Sequence, residues 1–532
     1  MNDFKNHQKV FLFFVSLFLI SLILRGWKIT AIPPGMHGDE AEWALIEKEL
    51  ITGQRKEIIG IGRKGIYFDF PTLGFWAQGI FLKIFGVNIF GARISSVLIG
   101  SLTVVLFFIF LKIFFSLKIA FLASLLLSFS HYHIAYSRMA LSNIWTPFWE
   151  VLTFLLLFQG LKKNSWAYLL ATGASLGLGL YFHHTVRVLP LIIGGFAILR
   201  IFSSKDNERK KYLKQICIIS VLGLLVFLPQ LIYFAKNPQD ICARCGEISI
   251  FNHLNEYYSK YQTRSLGIII IRQFFKNIQL FFVGGDIGYY FYGFPGPMLS
   301  PIAMLLTFVG SFSLLKNINR EINQFIAIWI LLIIILGGVL TIDAPSSQRL
   351  VGIIPAIFFL IALGIKTIHL QIKKLKTSSS FKSIKITAST LIISLFVVAD
   401  FTYNGNAYFI HYIRTQEGWA QREPATAIAK LLTTLPYNSY VYMLRENSWL
   451  YFRHGTIRFL APQVKGEDVS RSDKVIPSQC NKYDYLFYIM PPNSPSAPKL
   501  KHHYPHGVEQ KFFNPRGNTP WFWTFKVNCK LL

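Results

Sequence analysis

Apolar and polar positions alternate along the chain in long blocks rather than every second or third residue. Apolar runs near the roughly 20 residues that cross a bilayer fall at Val10 to Trp27, Ala92 to Phe115, Ile119 to His133, Leu141 to Leu161, Trp166 to Phe182 and Val188 to Phe202. Further runs lie at Ile216 to Phe234, Leu299 to Leu315, Phe325 to Thr341, Leu350 to Ile368 and Ile386 to Phe401, and Thr72 to Phe85 is a shorter apolar stretch. The pattern predicts an α-helical polytopic membrane protein with about eleven transmembrane helices, and up to about thirteen if short segments also cross. After Phe401 the pattern changes. "EPATAIAKLLTTL" reads as an amphipathic helix with Pro424 at its start, and "SYVYML", "YDYLFYIM" and "WFWTFKV" read as strands. "MPPNSPSAPK" reads as a loop. The chain therefore divides into a membrane domain over 1–402 and a small α/β domain over 403–532.

Charge orients this arrangement. With the N-terminus in the cytoplasm, alternate loops carry Lys5 and Lys9, Lys112 and Lys118, Lys162 and Lys163, "SSKDNERKKYLKQ", Lys316 and Arg320, and "QIKKLKTSSSFKSIK". Lys and Arg gather in short cytoplasmic loops, so an odd number of crossings puts the C-terminal domain outside, on the same side as the loop over 28–91. The expected location is the plasma (inner) membrane, multi-pass, with an extracytoplasmic C-terminal domain. A formal net charge of +28 follows largely from these loops, which face anionic lipid, so nucleic acid is not an expected partner. A secretory signal peptide is the competing reading of the first apolar run, but no small-residue cleavage site follows it.

Composition agrees: 532 residues, 52% hydrophobic and 16% aromatic, with a mean hydropathy of +0.42, are too apolar for an ordinary soluble enzyme. Five cysteines exclude a disulfide-dense scaffold. Cys480 and Cys529 both fall in the outer tail, where they could pair. "CARC" (Cys242 and Cys245) is weak evidence for zinc, because no second pair accompanies it.

Candidate chemistry starts at "PPGMHGDEAEWALIEKEL", directly after the first crossing. Trp43, Ile46 and Leu50 share one face of a helix expected to lie flat on the outer surface. Asp39, three residues before Glu42, matches a capping box, so a capping role and a chemical role compete for it. Arg138, Arg187 and Arg349 each fall at the outer end of a crossing, where a guanidinium either snorkels or grips a phosphate with two parallel hydrogen bonds. His183 and His184 are adjacent, so on a helix they point different ways and at most one serves a site.

Further outer-face elements are "YFDFPTLGFWAQGIFLKIFGVNIFGARISSVLIG", "HYHIAYSRMALSNIW", "GASLGLGLYFHHTVRVLPLI", "FFVGGDIGYYFYGFPGPMLSP" and "DAPSSQRLVGIIPAIFFLIALG". In their order they resemble the polytopic glycosyltransferases that use lipid-linked sugars, in particular the protein O-mannosyltransferase and aminoarabinose transferase group, of the glycosyltransferase family 39 type. The resemblance implies that Asp39 is the catalytic base, with Glu40 as its catalytic neighbour. Where the aminoarabinose transferases read Glu-Lys-Pro, this chain reads Asp69, Phe70, Pro71: the acid is kept and the lysine lost. Asn143 stands where members of the O-mannosyltransferase branch often carry an acid. Asp286 falls at a Gly-Asp element that relatives share, and Tyr181 precedes the His pair. Asp69, Asp286, Asn143 and Tyr181 are thus the sugar- or acceptor-binding candidates, and Arg138, Arg349, Arg187 and His183 the donor-phosphate candidates.

The expected reaction is inverting transfer of a sugar from a polyprenyl phosphate to a hydroxyl on a protein, glycan or lipid acceptor at the outer face, in contact with membrane lipids. No cofactor is firmly implied, although a divalent cation would be compatible. A lipid or solute transporter or flippase, and a non-catalytic membrane scaffold, are the alternatives. A transporter places ionisable residues near the midplane and often uses inverted repeats, whereas here polar residues gather at the outer ends.

Overall fold

The computed structural model describes residues 2–63, 69–241, 243–286, 291–374, 382–415, 420, 422–446, 450–469 and 478–531. Seven helical stretches are long and apolar enough to cross a membrane: His7–Gly26, Ile89–Leu111, Ser142–Lys163, His184–Ser203, Asp206–Lys236, Glu321–Val339 and Val351–Lys373. Thr72–Phe85, Leu117–Phe129 and Pro301–Lys316 are shorter apolar helices, and Trp166–Gly179 and Lys382–Asn406 cover the two remaining apolar runs. Each of the eleven runs read from the sequence is therefore helical. Leu117–Phe129 is short because the chain turns at Ser130, whose hydroxyl caps a second helix, His131–Tyr136.

Burial sorts the bundle: 78% of the best apolar window in Val351–Lys373 is buried, against 17% in His7–Gly26, so the former is central and the latter peripheral. Phe308, Phe312 and Leu315 are exposed along Pro301–Lys316, as a lipid-facing surface requires. Small residues let helices close on one another without a hydrophobic driving force. A Cβ added to Gly173 would come within 2.6 Å of the Ile219 carbonyl, and one added to Gly177 within 2.5 Å of the Gly223 carbonyl.

One long helix was not among the expected crossings. Leu266–Phe282 is interrupted by Arg272, Gln273, Lys276, Asn277 and Gln279, which breaks the apolar run. Its buried Gln273 and Asn277 turn toward the segment Gly338 to Thr341, where Gln273 donates to the Thr341 carbonyl at 3.5 Å.

The C-terminal domain is a five-stranded sheet in the order β4-β3-β5-β7-β6, with β3 Ser439–Leu444, β4 Lys465–Val469, β5 Tyr485–Met490, β6 Val508–Phe513 and β7 Pro520–Asn528. β3 pairs in parallel with β4 and β5, while β7 runs antiparallel to β5 and β6. Helix Glu423–Thr433 buries Ala425, Ile428, Ala429 and Leu432 against Val441, Met443, Phe487 and Ile489 on one face. The other face carries Tyr442, Leu486, Tyr488 and Phe525, with Leu500 packed on them. Leu500 belongs to helix Ser496–His503, which begins within the last four residues of the segment read as a loop; burial of Ala497 and Leu500 overrides its Pro and Ser content. β4 and β6 were not read from the sequence, because their alternation is weak and charged (KGEDV, VEQKFF). Cys480 and Cys529 form a disulfide, while Cys242 lies outside the described residues.

Candidate active site in the loop over 28–91

The helix Gly38–Ile51 begins two residues earlier than the Asp39 capping box implies. His37 is its N-cap, its Nδ1 accepting from the Asp39 amide at 3.0 Å, and Glu40 returns a bond by accepting from the His37 amide at 2.9 Å. His37 and Glu40 thus form the capping box, and Asp39 sits in the first turn, where the helix dipole favours a negative charge. The Asp39 side chain is 41% exposed, with Oδ2 3.9 Å from His37 Nδ1. Because Nδ1 accepts a hydrogen bond, it is the unprotonated ring nitrogen. Burial, then Arg422 and His454 nearby, lower the His37 pKa to about 3, so the ring stays neutral and able to cap.

Glu40 is fully buried and saturated. Its Oε1 accepts from Arg93 Nε at 2.9 Å and from the Ala140 amide at 2.8 Å, and its Oε2 from Arg93 NH2 at 2.9 Å as well as from His37. Burial pushes its carboxyl up, but Arg93, with Arg422 and the His37 amide, outweighs that and holds it at about 2. Arg93 also donates to the carbonyls of Ile29, Pro33 and Gly35. The pair therefore ties the loop to the helix Ile89–Leu111, and Glu40 is placed for anchoring rather than for contact with a substrate.

The helix does not lie bare on a surface. Trp43, Ile46 and Leu50 pack against Phe75 of Thr72–Phe85, and Met36, Ala41, Ala44 and Leu45 join Phe459 of the C-terminal helix Gly455–Leu460. Glu47 is buried as well, which pushes its carboxyl well above the usual range.

The three arginines have separate partners. Arg138 is buried and donates through NH1 to the carbonyls of Leu24 (2.8 Å) and Arg25 (2.7 Å), and through NH2 to those of Trp27 (2.6 Å) and Ile32 (2.9 Å). The Leu24 and Arg25 oxygens are orphaned in the last turn of the helix Asn2–Gly26, and those of Trp27 and Ile32 belong to the chain just beyond it, so the Arg138 guanidinium is spent on capping this helix end. Arg349 donates to the Ile342 carbonyl, with NH2 3.4 Å from Asp343. Arg187 donates to the Ile241 carbonyl at 2.7 Å and lies over Phe234.

Asp286 accepts from the Ser347 amide at 3.0 Å and from its hydroxyl. That hydroxyl also meets Tyr136 at 2.7 Å, and the Ser347 carbonyl accepts from Tyr132. Asn143 donates to the Gln348 carbonyl at 3.1 Å, so Asp286 and Asn143 converge on the short turn Ser347–Arg349. Tyr181 is spent elsewhere, its hydroxyl donating to the Val226 carbonyl at 3.1 Å. His183 caps the turn His184–Val188 and stacks on Phe70 at 5.3 Å. Phe70 belongs to β2 (Asp69–Pro71), paired antiparallel with β1 (Ile61–Arg63). The pairing brings the Asp69 backbone beside the His pair; the Asp69 side chain lies outside the described residues.

Sequence reasoning missed Arg93 and Arg422. Arg422 is buried between the two clusters, donating to the Tyr412 hydroxyl and the Phe291 carbonyl, and Phe291 faces His37 at 5.3 Å. Arg93 carried a usable signal, since an ionisable residue inside an apolar run marks a paired or functional position. Arg422 carried none, being one of several charges after the last crossing. Among the described residues no three His, Cys, Asp or Glu side chains converge to hold a metal ion.

Residues 69–233 match the family model described as dolichyl-phosphate-mannose-protein mannosyltransferase. The structure superposes on ArnT from Cupriavidus metallidurans in the apo state with a TM-score of 0.58, at 13% identity, over 99% of both chains. It matches the same protein bound to undecaprenyl phosphate with a TM-score of 0.57, at 14% identity, over 97% of both chains. The fold is that of ArnT. The Archaeoglobus fulgidus oligosaccharyltransferase in complex with Zn and sulfate shares it, with a TM-score of 0.54 at 13% identity over 90% of this chain and 67% of that one. No curated protein sequence matches the chain. The resemblance read from the order of the outer-face elements is borne out at the level of this fold, and the chain is a multi-pass membrane protein.

Proposed function

We propose that this protein is a glycosyltransferase that moves a sugar from a polyprenyl phosphate to an acceptor hydroxyl at the outer face of the plasma membrane, with Asp39 as general base. The observation that carries the reading is the division of labour in the acidic pair. Glu40 and His37 take over the anchoring and capping, which leaves the Asp39 carboxylate 41% exposed at a helix N-terminus. The match of residues 69–233 to the mannosyltransferase family model and the fold shared with a protein solved bound to undecaprenyl phosphate support the donor class.

In the proposed step Asp39 takes the acceptor proton. The freed oxygen pair forms a bond to the anomeric carbon, and the carbon–oxygen bond to the lipid phosphate breaks with its electron pair leaving on the phosphate. A single displacement inverts the anomeric centre, because a retaining route needs a second carboxylate as nucleophile. Arg349 and Arg187 are the proposed cations for the departing phosphate, with His183 four residues before Arg187. Asp286, Asn143 and Asp69 are proposed to line the sugar and acceptor region. The loop over 28–91 is the catalytic loop of a membrane domain ending near residue 402, and the domain after it faces outward with that loop. Assay of the purified protein against a panel of prenyl phosphate sugars, wild type beside Asp39→Asn, tests the reading: transfer from none of them, or equal transfer by both proteins, refutes it.

A further inference from the structure

The residues leading into the Asp39 helix are gripped by the C-terminal domain, some 400 positions away. Met36 has both backbone groups satisfied by threonine hydroxyls of two different helices of that domain. Its amide donates to Thr426 Oγ1 at 2.8 Å, and its carbonyl accepts from Thr456 Oγ1 at 3.0 Å. Thr426 donates in turn to the Arg422 carbonyl at 2.8 Å, so its hydroxyl is used as donor and as acceptor.

Neighbouring contacts tighten the grip. Gly35 has φ +72°, a left-handed conformation suited to glycine, and a Cβ there would meet the Arg422 carbonyl group at 2.7 Å. The His454 ring lies against Gly38, where a Cβ would be 3.1 Å from it. One turn into the helix, Glu42 accepts from Arg458 at 2.9 Å. The membrane domain holds the same helix through Arg93 with Glu40 and through Phe75. Asp39 thus stands where two bodies meet.

We propose that Thr426 and Thr456 are positioning residues for Asp39: by holding the Met36 backbone from both sides, the C-terminal domain sets where the Asp39 carboxylate stands relative to the acceptor. This rests on the reading of Asp39 as base. The physical requirement is strict, because a general base must lie within hydrogen-bond reach of the proton it removes, and displacement by about 1 Å costs on the order of 100-fold in rate.

The test uses the full-length protein in lipid nanodiscs, measuring turnover and donor affinity for Thr426→Val, Thr456→Val and the two Thr→Ser variants. Valine keeps the shape and removes the hydroxyl. The expected result is turnover about 10-fold or more below wild type, donor affinity within about twofold, and recovery of most of the turnover with serine, which restores the bond. Valine variants within twofold of wild type, or serine variants as impaired as valine, overturn the proposal. If a buried valine prevents accumulation, Arg458→Gln at a side chain 37% exposed replaces it, with a several-fold loss of turnover at unchanged donor affinity expected and no loss counting against. Asp39→Asn run in parallel separates the failures: full turnover there removes the base itself, whereas an inactive Asp39→Asn with neutral threonine variants removes only the clamp.

Discussion

Arg93 grips both carboxylate oxygens of Glu40, through Nε and NH2 at 2.9 Å each, across 53 positions of sequence. The adjacent acids of the loop over 28–91 consequently do different work. One is sealed into an ion pair with every lone-pair direction engaged, and the other stands at the surface of the same helical turn.

Substituting the two acids should therefore separate activity from stability. Asp39→Asn keeps size and first-turn position, so the protein should accumulate and bind donor while turnover falls by about 100-fold or more, the typical worth of a general base. Glu40→Gln leaves Arg93 buried without its counter-charge, which costs roughly 3–5 kcal/mol. Its signature is a lower midpoint of thermal unfolding and poor accumulation. Turnover per folded molecule near wild type for Asp39→Asn would contradict this division.

The arginines should respond unequally to lysine. Arg138→Lys cannot reach four carbonyls, so the expected loss is in folding yield, because buried acceptors left unpaired cost about 1–3 kcal/mol each. Arg349→Lys and Arg187→Lys keep the charge but lose the fork, and each should lower turnover more than donor affinity. Equal turnover in both would mean that the leaving phosphate is held by other groups.

Acid should loosen the loop. His37 titrates near pH 6.5 when unfolded and near 3 when folded, so the unfolded chain binds the extra proton first and stability falls as pH drops through that window. At pH 5 the loss from this one group is up to about 2 kcal/mol. Glu40, held at about 2, adds a second loss only below about pH 4.5, again as pH falls. Thermal unfolding of wild type and His37→Asn at pH 7.5 and pH 5 measures the first contribution. Asn still caps a helix but does not titrate, so its two midpoints should lie closer together.

Orientation can be read by thiol labelling in intact cells. A cysteine at Tyr437, which is 98% exposed, should react with an impermeant reagent, and one at Lys205 or Asp206 should be shielded. The opposite pattern would place the proposed chemistry on the cytoplasmic side.

How much of this was legible in the chain differs by element. The eleven apolar runs, the Glu423–Thr433 helix and strands β3, β5 and β7 follow from runs of residues whose neighbours in sequence are their neighbours in the element. Helix Ser496–His503 and strand β4 do not, since their local composition is that of a loop and only the sheet beside them makes the regular backbone favourable. The acidic pair was visible as a candidate; the roles within it were not.

What the sequence determined by itself was the solvent of each segment: apolar runs of membrane length separated by charged loops, and a mixed tail after them. Long blocks of like residues specify this because transfer between water and lipid adds up residue by residue. What only the tertiary structure decided was the use of each charge. Whether Glu40 or Asp39 is sealed depends on Arg93 reaching back from the helix Ile89–Leu111. Whether Arg138 faces a ligand or a helix end depends on four carbonyls more than 100 positions away. A charged side chain has no local pattern that reports its partner, because burial and pairing are set by whatever part of the chain the fold places within about 3 Å of it.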